Sequence, residues 1–225
     1  IIINSPNNPS GVVYTEKAIS DLCAALKEHE KKTGNRVYII SDEPYRELVF
    51  GGIYVPFIMN YYDNSIVCYS FSKSLSLPGE RIGYIAVNNK MTEWEEVYSG
   101  VCGAGRAMGY VCAPNLFQQL VAGVLGKTAD ISAYERNRDM LVNALSQYGF
   151  GVIHPDGAFY LFVKAPEGDA TEFAERAKKY ELLIVPADSF GVKGYVRISY
   201  CVSEKTIEKS LPAFKALAES YGVKL

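Results

Sequence analysis

The chain has 225 residues, 48% of them hydrophobic, with 17 Tyr, 10 Phe and a Trp, a composition that excludes disorder. Lys and Arg total 23 against 25 Asp and Glu, a net charge of −2, which leaves no electrostatic footprint for nucleic acid or an anionic membrane as partner. No apolar run approaches the roughly 20 residues that span a bilayer, so a soluble chain is expected.

Ile1-Ile2-Ile3-Asn4 reads as a strand with neither a Met nor a basic stretch before it, and a start inside a larger protein is expected. The run Ser5-Pro6-Asn7-Asn8-Pro9-Ser10-Gly11 is a dense turn signal. Thr15 is placed to cap a helix in which Ala18, Ile19, Leu22, Cys23 and Leu26 recur at helical spacing, and Gly34-Asn35 ends it. Val37–Ile40, Ile66–Tyr69 and Ile82–Val87 read as further strands, the first two unalternating, as for strands covered on both faces. Strands separated by helical segments predict a doubly wound α/β layer.

From Glu93 to Gly149 the pattern is helical, with Leu116, Leu120, Val121, Val124 and Leu125 as one apolar stripe and a second helix over Tyr134–Leu145. Beyond Phe150, strand-like Ala158–Val163 precedes a helix over Thr171–Tyr180. Short strands at Leu182–Val185 and Tyr195–Ser199 and a final helix from about Ser203 to Tyr221 follow. Mixed strands and helices of this kind predict a separate α+β unit. The organisation expected is therefore 1–115 as one α/β part, 116–148 as connecting helices and 149–225 as a small C-terminal α+β domain.

Five cysteines at scattered spacings, without a CxxC pair, argue against a metal site or redox pair. Three lie in apolar runs and read as small buried hydrophobes, which makes a reducing cytoplasm the simplest compartment.

In open α/β sheets, ligands bind outside the carboxyl ends of the strands. The residues just past the first three strands are Asn8, then Asp42 with Tyr45, then Ser70-Phe71-Ser72-Lys73, and Arg81 follows after Pro78-Gly79. A lysine able to act as nucleophile, a carboxylate and an anion-binding Ser/Arg set suit chemistry on a phosphate-bearing or carbonyl ligand. The alternative is that Asp42 and Lys73 are strand-end charges facing solvent, the commoner fate of such residues. Asn8 could be only a turn former, Tyr45 a packing residue and Arg197 a salt-bridge partner. Glu80, His29, His154 and the Tyr61-Tyr62 pair read as structural.

The ordered set Asn7-Asn8-Pro9-Ser10-Gly11, Ser41-Asp42-Glu43-Pro44-Tyr45, Ser70-Phe71-Ser72-Lys73 through Pro78-Gly79-Glu80-Arg81-Ile82-Gly83, and Tyr195-Val196-Arg197-Ile198-Ser199 resembles the class I/II aminotransferases, the fold-type I enzymes that use pyridoxal 5′-phosphate (PLP), on the aspartate aminotransferase side. Gly157-Ala158-Phe159-Tyr160, Val185-Pro186 and Phe190-Gly191 look like that family's small-domain motifs. The resemblance implies a PLP-transferase-like α/β fold: part of the large doubly wound domain, over 1–115, plus the small domain. It implies that Lys73 forms the internal aldimine and shuttles the proton, and that Asp42 pairs with the protonated ring nitrogen. Tyr45 and Asn8 would bond the ring's phenolic oxygen, Ser70, Ser72 and Arg81 would hold the phosphate, and Arg197, with Asn8, would bind the substrate, Arg197 taking its α-carboxylate.

The activity implied is transfer of an amino group between an amino acid and a 2-oxo acid, by a homodimer when intact. Alternatives are a PLP-dependent carbon–sulfur lyase on the same scaffold and a non-catalytic aminotransferase-like sensing domain. In the family an N-terminal half precedes the Asn-Pro motif and holds the phosphate cup and the aromatic that stacks on the ring. The chain therefore looks like the C-terminal part of such an enzyme, with the first strand at an edge, and is expected to be inactive alone.

Overall fold

The computed structural model describes residues 1–223. Two compact units divide the chain, each described by itself: residues 1–6, 13–48 and 54–129 make the first, and residues 7–12, 49–53 and 130 onward the second. The stretch 116–148 is shared between them rather than forming a block of its own.

The first unit is an α/β layer built on strands β1 (Ile2–Asn4), β2 (Ile39–Asp42), β3 (Ser65–Ser70) and β4 (Gly83–Val87), in the order β1-β2-β3-β4. The first three are parallel, and β4 runs antiparallel to β3 with Ser70 opposite Gly83. Parallel neighbours need a long crossover; only the single-turn helix α2 (Phe71–Ser74) and a loop join β3 to β4, so an antiparallel return is what this length permits. Gly83 is required by that return, because a Cβ there would lie 2.3 Å from the Tyr69 carbonyl oxygen.

Helix α1 (Glu16–Thr33) covers one face of this sheet, burying Ile19, Cys23 and Leu26 against Ile3, Ile39 and Val67. Its ends are specified locally. Thr15 Oγ1 accepts from Ala18 N at 3.2 Å, and Gly34, at φ 72°, donates to the Glu30 carbonyl. The expectation that these strands are covered on both faces is not met. Burial alternates along β2 and β3, and Tyr84 and Ile85 of β4 are about half exposed. Helix α3 (Trp94–Ala107) buries none of its residues, and of the stripe expected in 116–125 only Val121, in α4 (Asn115–Gly123), is buried.

In the second unit, β5 (Gly151–Ile153), β6 (Tyr160–Lys164), β7 (Val185–Pro186) and β8 (Tyr195–Ser199) form an antiparallel sheet in the order β5-β6-β8-β7. The short β5 carries no sequence signal of its own. Helices α5 (Ile131–Gln147), α6 (Ala170–Lys178) and α7 (Glu204–Glu219) supply the apolar faces, and Leu141, Leu161, Phe173, Val196 and Leu217 are almost fully buried. Asp169, not Thr171, caps α6, accepting from Glu172 N, and Ser203 caps α7.

Residues 7–12 and 49–53 join this unit through backbone bonds: the Gly11 carbonyl accepts from Asp156 N and Gly157 N, and Phe50 N donates to the Asp156 carbonyl. Gly11 has φ 72°, and a Cβ there would lie 2.3 Å from Pro155 Cβ. Of the five cysteines, all free, only Cys23 is buried; Cys68 is half-buried and the others are exposed, so the buried reading holds for one of them. Among the described residues no helix is long and apolar enough to cross a membrane.

Candidate active site

Six of the eight residues singled out in the sequence lie in the first unit: Asp42, Tyr45, Ser70, Ser72, Lys73 and Arg81. Asn8 and Arg197 lie in the second.

Asp42 is the last residue of β2. Asn4, at the end of the adjacent β1, donates from Nδ2 to the Asp42 carbonyl at 2.9 Å and to its Oδ2 at 3.2 Å. The Asp42 carboxyl is pushed above the ordinary carboxylate range, first by desolvation and then by the neighbouring Glu43 carboxylate. The residue is exposed, and among the described residues no cation pairs with its carboxylate. Such a group is ready for a positively charged partner. The Glu43 side chain, in contrast, is buried and fully committed: Ser41 Oγ donates to Oε1 at 2.7 Å and Arg46 Nε to Oε2 at 2.5 Å.

Three residues on, Tyr45 is buried, and Lys73 Nζ lies 6.0 Å from its ring centroid. Lys73 belongs to the four-residue helix α2, which Ser70 caps: its Oγ accepts from Ser72 N at 3.2 Å and donates to Ser72 Oγ at 2.7 Å. Arg81, with φ 53°, is brought next to this turn by the backbone, since Phe71 N donates to the Ile82 carbonyl. Its guanidinium is exposed, and Nη1 donates to the Pro78 carbonyl at 2.7 Å. The structure thus gathers Asp42, Tyr45 and Lys73 at one strand-end edge, whereas for Arg81 it is the backbone, not the guanidinium, that it brings beside Ser70.

In the second unit, Arg197 of β8 lies with its guanidinium 4.6 Å from the Tyr160 ring and 4.9 Å from the Phe190 ring. Nη1 donates to Asn8 Oδ1 at 3.0 Å, and the buried Nε has no hydrogen-bond partner. The expected alternative, a salt-bridge role, is not what these contacts show: the partners are an amide and two rings. A buried guanidinium nitrogen without an acceptor costs free energy until an acceptor arrives, and a planar anion such as a carboxylate suits the fork. In the sequence Tyr160 and Phe190 stand out only as parts of motifs. Their role as the walls of the Arg197 slot needs the sheet register and the loop after β7, which spacing does not disclose.

The model of the family described as aminotransferase class I and II matches residues 1–214. The chain belongs to that family. It is similar to a probable aspartate aminotransferase of Methanocaldococcus jannaschii, 31% identical over 97% of this chain and 58% of that protein. Among solved structures it matches an amino transferase from Eubacterium rectale at 55% identity and a TM-score of 0.94, over 98% of this chain and 55% of that one. It also matches an aspartate aminotransferase from Thermotoga maritima at 28% identity and a TM-score of 0.81, over 97% and 56%. The chain thus spans little more than half the length of these relatives. The likeness bears out the α/β, PLP-transferase fold.

Members of this family use PLP. The first unit's residues fit that group: a carboxyl raised by desolvation and by the Glu43 charge suits a pyridinium, and an amine beside a buried phenol suits an aldehyde with an ortho oxygen. Ser70 and Ser72 place two hydroxyls on the same turn as Lys73 for a phosphate.

Proposed function

We propose that the protein to which this chain belongs is a PLP-dependent aminotransferase, moving an amino group from an amino acid to a 2-oxo acid. The observation that carries the reading is the convergence of Lys73, Tyr45 and the cation-seeking Asp42 at one strand-end edge of a family member. The two units are read as part of the large, cofactor-bearing domain and as the small domain. Relatives named as aspartate and aromatic-amino-acid aminotransferases support the substrate class.

PLP supplies, when bound, an electron sink for the bond broken at the substrate Cα. On this reading the chain's own residues do the rest. Asp42 holds the proton on the ring nitrogen. The Tyr45 phenol donates to the ring's phenolic oxygen. Ser70 and Ser72 would bind the phosphate, joined by Arg81 once its guanidinium leaves the Pro78 carbonyl. Lys73, as the neutral amine, would take the proton from the substrate Cα and deliver it to the former aldehyde carbon of the cofactor, the role for which a mobile primary amine near a phenol is suited. In the second unit Arg197 takes the α-carboxylate by its fork, and Asn8 holds that fork in orientation through Oδ1. Free, partly exposed cysteines suit the cytoplasm, and the exposed apolar side chains Tyr98, Met108, Tyr110, Val111, Leu116 and Leu120 suit a homodimer.

The test is borohydride reduction of the protein in the presence of PLP, followed by peptide mapping. The pyridoxyl group should be found on Lys73, and Lys73→Ala should remove it. Labelling confined to other lysines would refute the assignment.

A further inference from the structure

Lys73 sits in a helix of a single turn, and one turn cannot hold itself: nucleation costs more than its few bonds return. The bonds that close it are long, with Leu75 N to the Phe71 carbonyl and Ser76 N to the Lys73 carbonyl both at 3.3 Å. What fixes the lysine must come from outside the turn. Tyr69, the penultimate residue of β3, supplies such a hold. Its phenolic oxygen is 2.8 Å from Oγ of Ser74, the residue next to Lys73, and 2.7 Å from Oε2 of Glu47, two residues after Tyr45.

The phenol has one hydrogen, and a carboxylate only accepts. Tyr69 therefore donates to Glu47, and the Ser74 hydroxyl donates to Tyr69. Burial, more than any neighbour, pushes the Tyr69 phenol far above its ordinary value, so the proton stays on it. The ring is held edge-on to Phe71 with centroids 5.1 Å apart and stacked on Tyr84 at 5.0 Å. Ser74 is buried, and its carbonyl also accepts from Ala129 N at 2.7 Å. On the other side, Leu48 N donates to the Tyr45 carbonyl at 2.8 Å, closing Tyr45 and Glu47 into one turn.

We infer that Tyr69 is a positioning residue that sets the placement of Lys73 against Tyr45, through Ser74 on one side and Glu47 on the other. This rests on the reading of Lys73 and Tyr45 as the cofactor-bearing pair. Tyr69 acts through Ser74 and Glu47 and ties together the two segments that carry the reacting groups, and nothing in the spacing of the sequence marks it among 17 tyrosines.

The experiment compares the full-length protein that contains this chain with its variants Tyr69→Phe, which keeps the ring and removes both bonds, Ser74→Ala, which removes one, and Tyr84→Leu, which removes the stack and keeps the hydrogen-bond chain. Two rates are read at Lys73 by peptide mapping: reductive trapping of PLP, which depends on geometry, and acetylation by acetic anhydride, which needs no cofactor and reports the amine's own reactivity. A misplacement of the order of 1 Å costs up to about a hundredfold in an oriented reaction. Tyr69→Phe should therefore slow trapping by about ten- to a hundredfold with acetylation changed less than about twofold, and Ser74→Ala should fall between it and the parent. Tyr84→Leu should lose thermal stability without the trapping defect. If Tyr69→Phe does not fold, the Ser74→Ala rates decide alone. Parent-like trapping in Tyr69→Phe or, failing that, in Ser74→Ala overturns the inference while leaving the function standing, and so does an equal defect in Tyr84→Leu. Failure of the full-length parent protein to trap PLP on Lys73 overturns both.

Discussion

Replacing Arg197 separates a structural arginine from one that waits for a ligand. In Arg197→Met the chain loses a charge-assisted bond to Asn8 Oδ1 of about 1.5–3 kcal/mol and two cation–π contacts, with Tyr160 and Phe190, of about 0.5–1 kcal/mol each. Against this, it no longer buries Nε without a partner, which relieves about 1–3 kcal/mol, and a thioether regains part of the ring contact, about 0.3–1.5 kcal/mol. At the centre of these ranges the net loss of stability is about 1 kcal/mol.

Carboxylate binding should respond very differently. Removing one partner of a buried charged pair costs about 2–5 kcal/mol, which at 1.36 kcal/mol per decade is a weakening of about 30- to 5,000-fold. The assay is urea unfolding beside NMR titration with aspartate and 2-oxoglutarate. Arg197→Lys should recover only part of the affinity, since an ammonium cannot match the fork. A stability loss above about 3 kcal/mol together with unchanged carboxylate affinity would show Arg197 to be structural and refute the reasoning.

Three further outcomes follow from the geometry. The Asp42 carboxyl is raised by desolvation and then by Glu43, so the folded chain holds that proton more tightly than the unfolded one and loses stability as the pH climbs from about 3.8 through the folded value. Asp42→Asn should therefore melt with the parent in acid and above it at neutral pH without PLP, and a flat or negative difference would contradict the raised carboxyl. Leu161→Ala, at a fully buried position of β6, should cost about 2–5 kcal/mol in denaturant unfolding of the second unit; a loss under about 1 kcal/mol would mean the site is not close-packed. Gly83→Ala places a Cβ 2.3 Å from the Tyr69 carbonyl oxygen and should cost about 1–3 kcal/mol while slowing PLP trapping on Lys73, whereas parent-like stability and trapping would show that the β3–β4 approach is loose.

Helix α1 was legible because everything that makes it is local: a cap at Thr15, a stop at Gly34 and an apolar stripe between. The strands β2 and β3 were legible as strands but not as one-sided ones. Their apolar runs look the same whether one or two faces are packed, and coverage depends on where α1 and α3 fall. The stripe on α4 misled for the same reason, since periodicity reports a potential apolar face and not the partner that buries it. At the site, Asp42, Tyr45 and Lys73 were marked by strand ends and motifs. Tyr69, Glu47 and Ser74 were not, because a hydrogen-bond chain across a β2 loop, a β3 strand and a short turn leaves no periodic trace.

Charge type alone did not distinguish function from structure either, and two neighbouring comparisons show what does. Glu43 and Asp42 are adjacent carboxylates. The buried one is satisfied by Ser41 and Arg46, whose remaining donors reach the Val55 and Pro56 carbonyls at 3.1 and 3.2 Å. The exposed one is left raised, with an amide from Asn4 but, among the described residues, no cation. Arg138 and Arg197 divide the same way. Arg138 lies over the Phe50 ring at 4.5 Å, with Glu135 and Asp139 within 3.2 and 2.7 Å of Nη2. Arg197 has the rings and one amide, and a buried nitrogen without an acceptor. A fold selected for stability alone would leave neither the Asp42 carboxyl raised nor the buried Arg197 Nε without an acceptor, since an unsatisfied buried polar group costs free energy. In each unit one member of the comparison is paired and the other is held open at a cost, and the open ones are Asp42 and Arg197, a carboxylate suited to a cationic ring nitrogen and a guanidinium suited to a carboxylate.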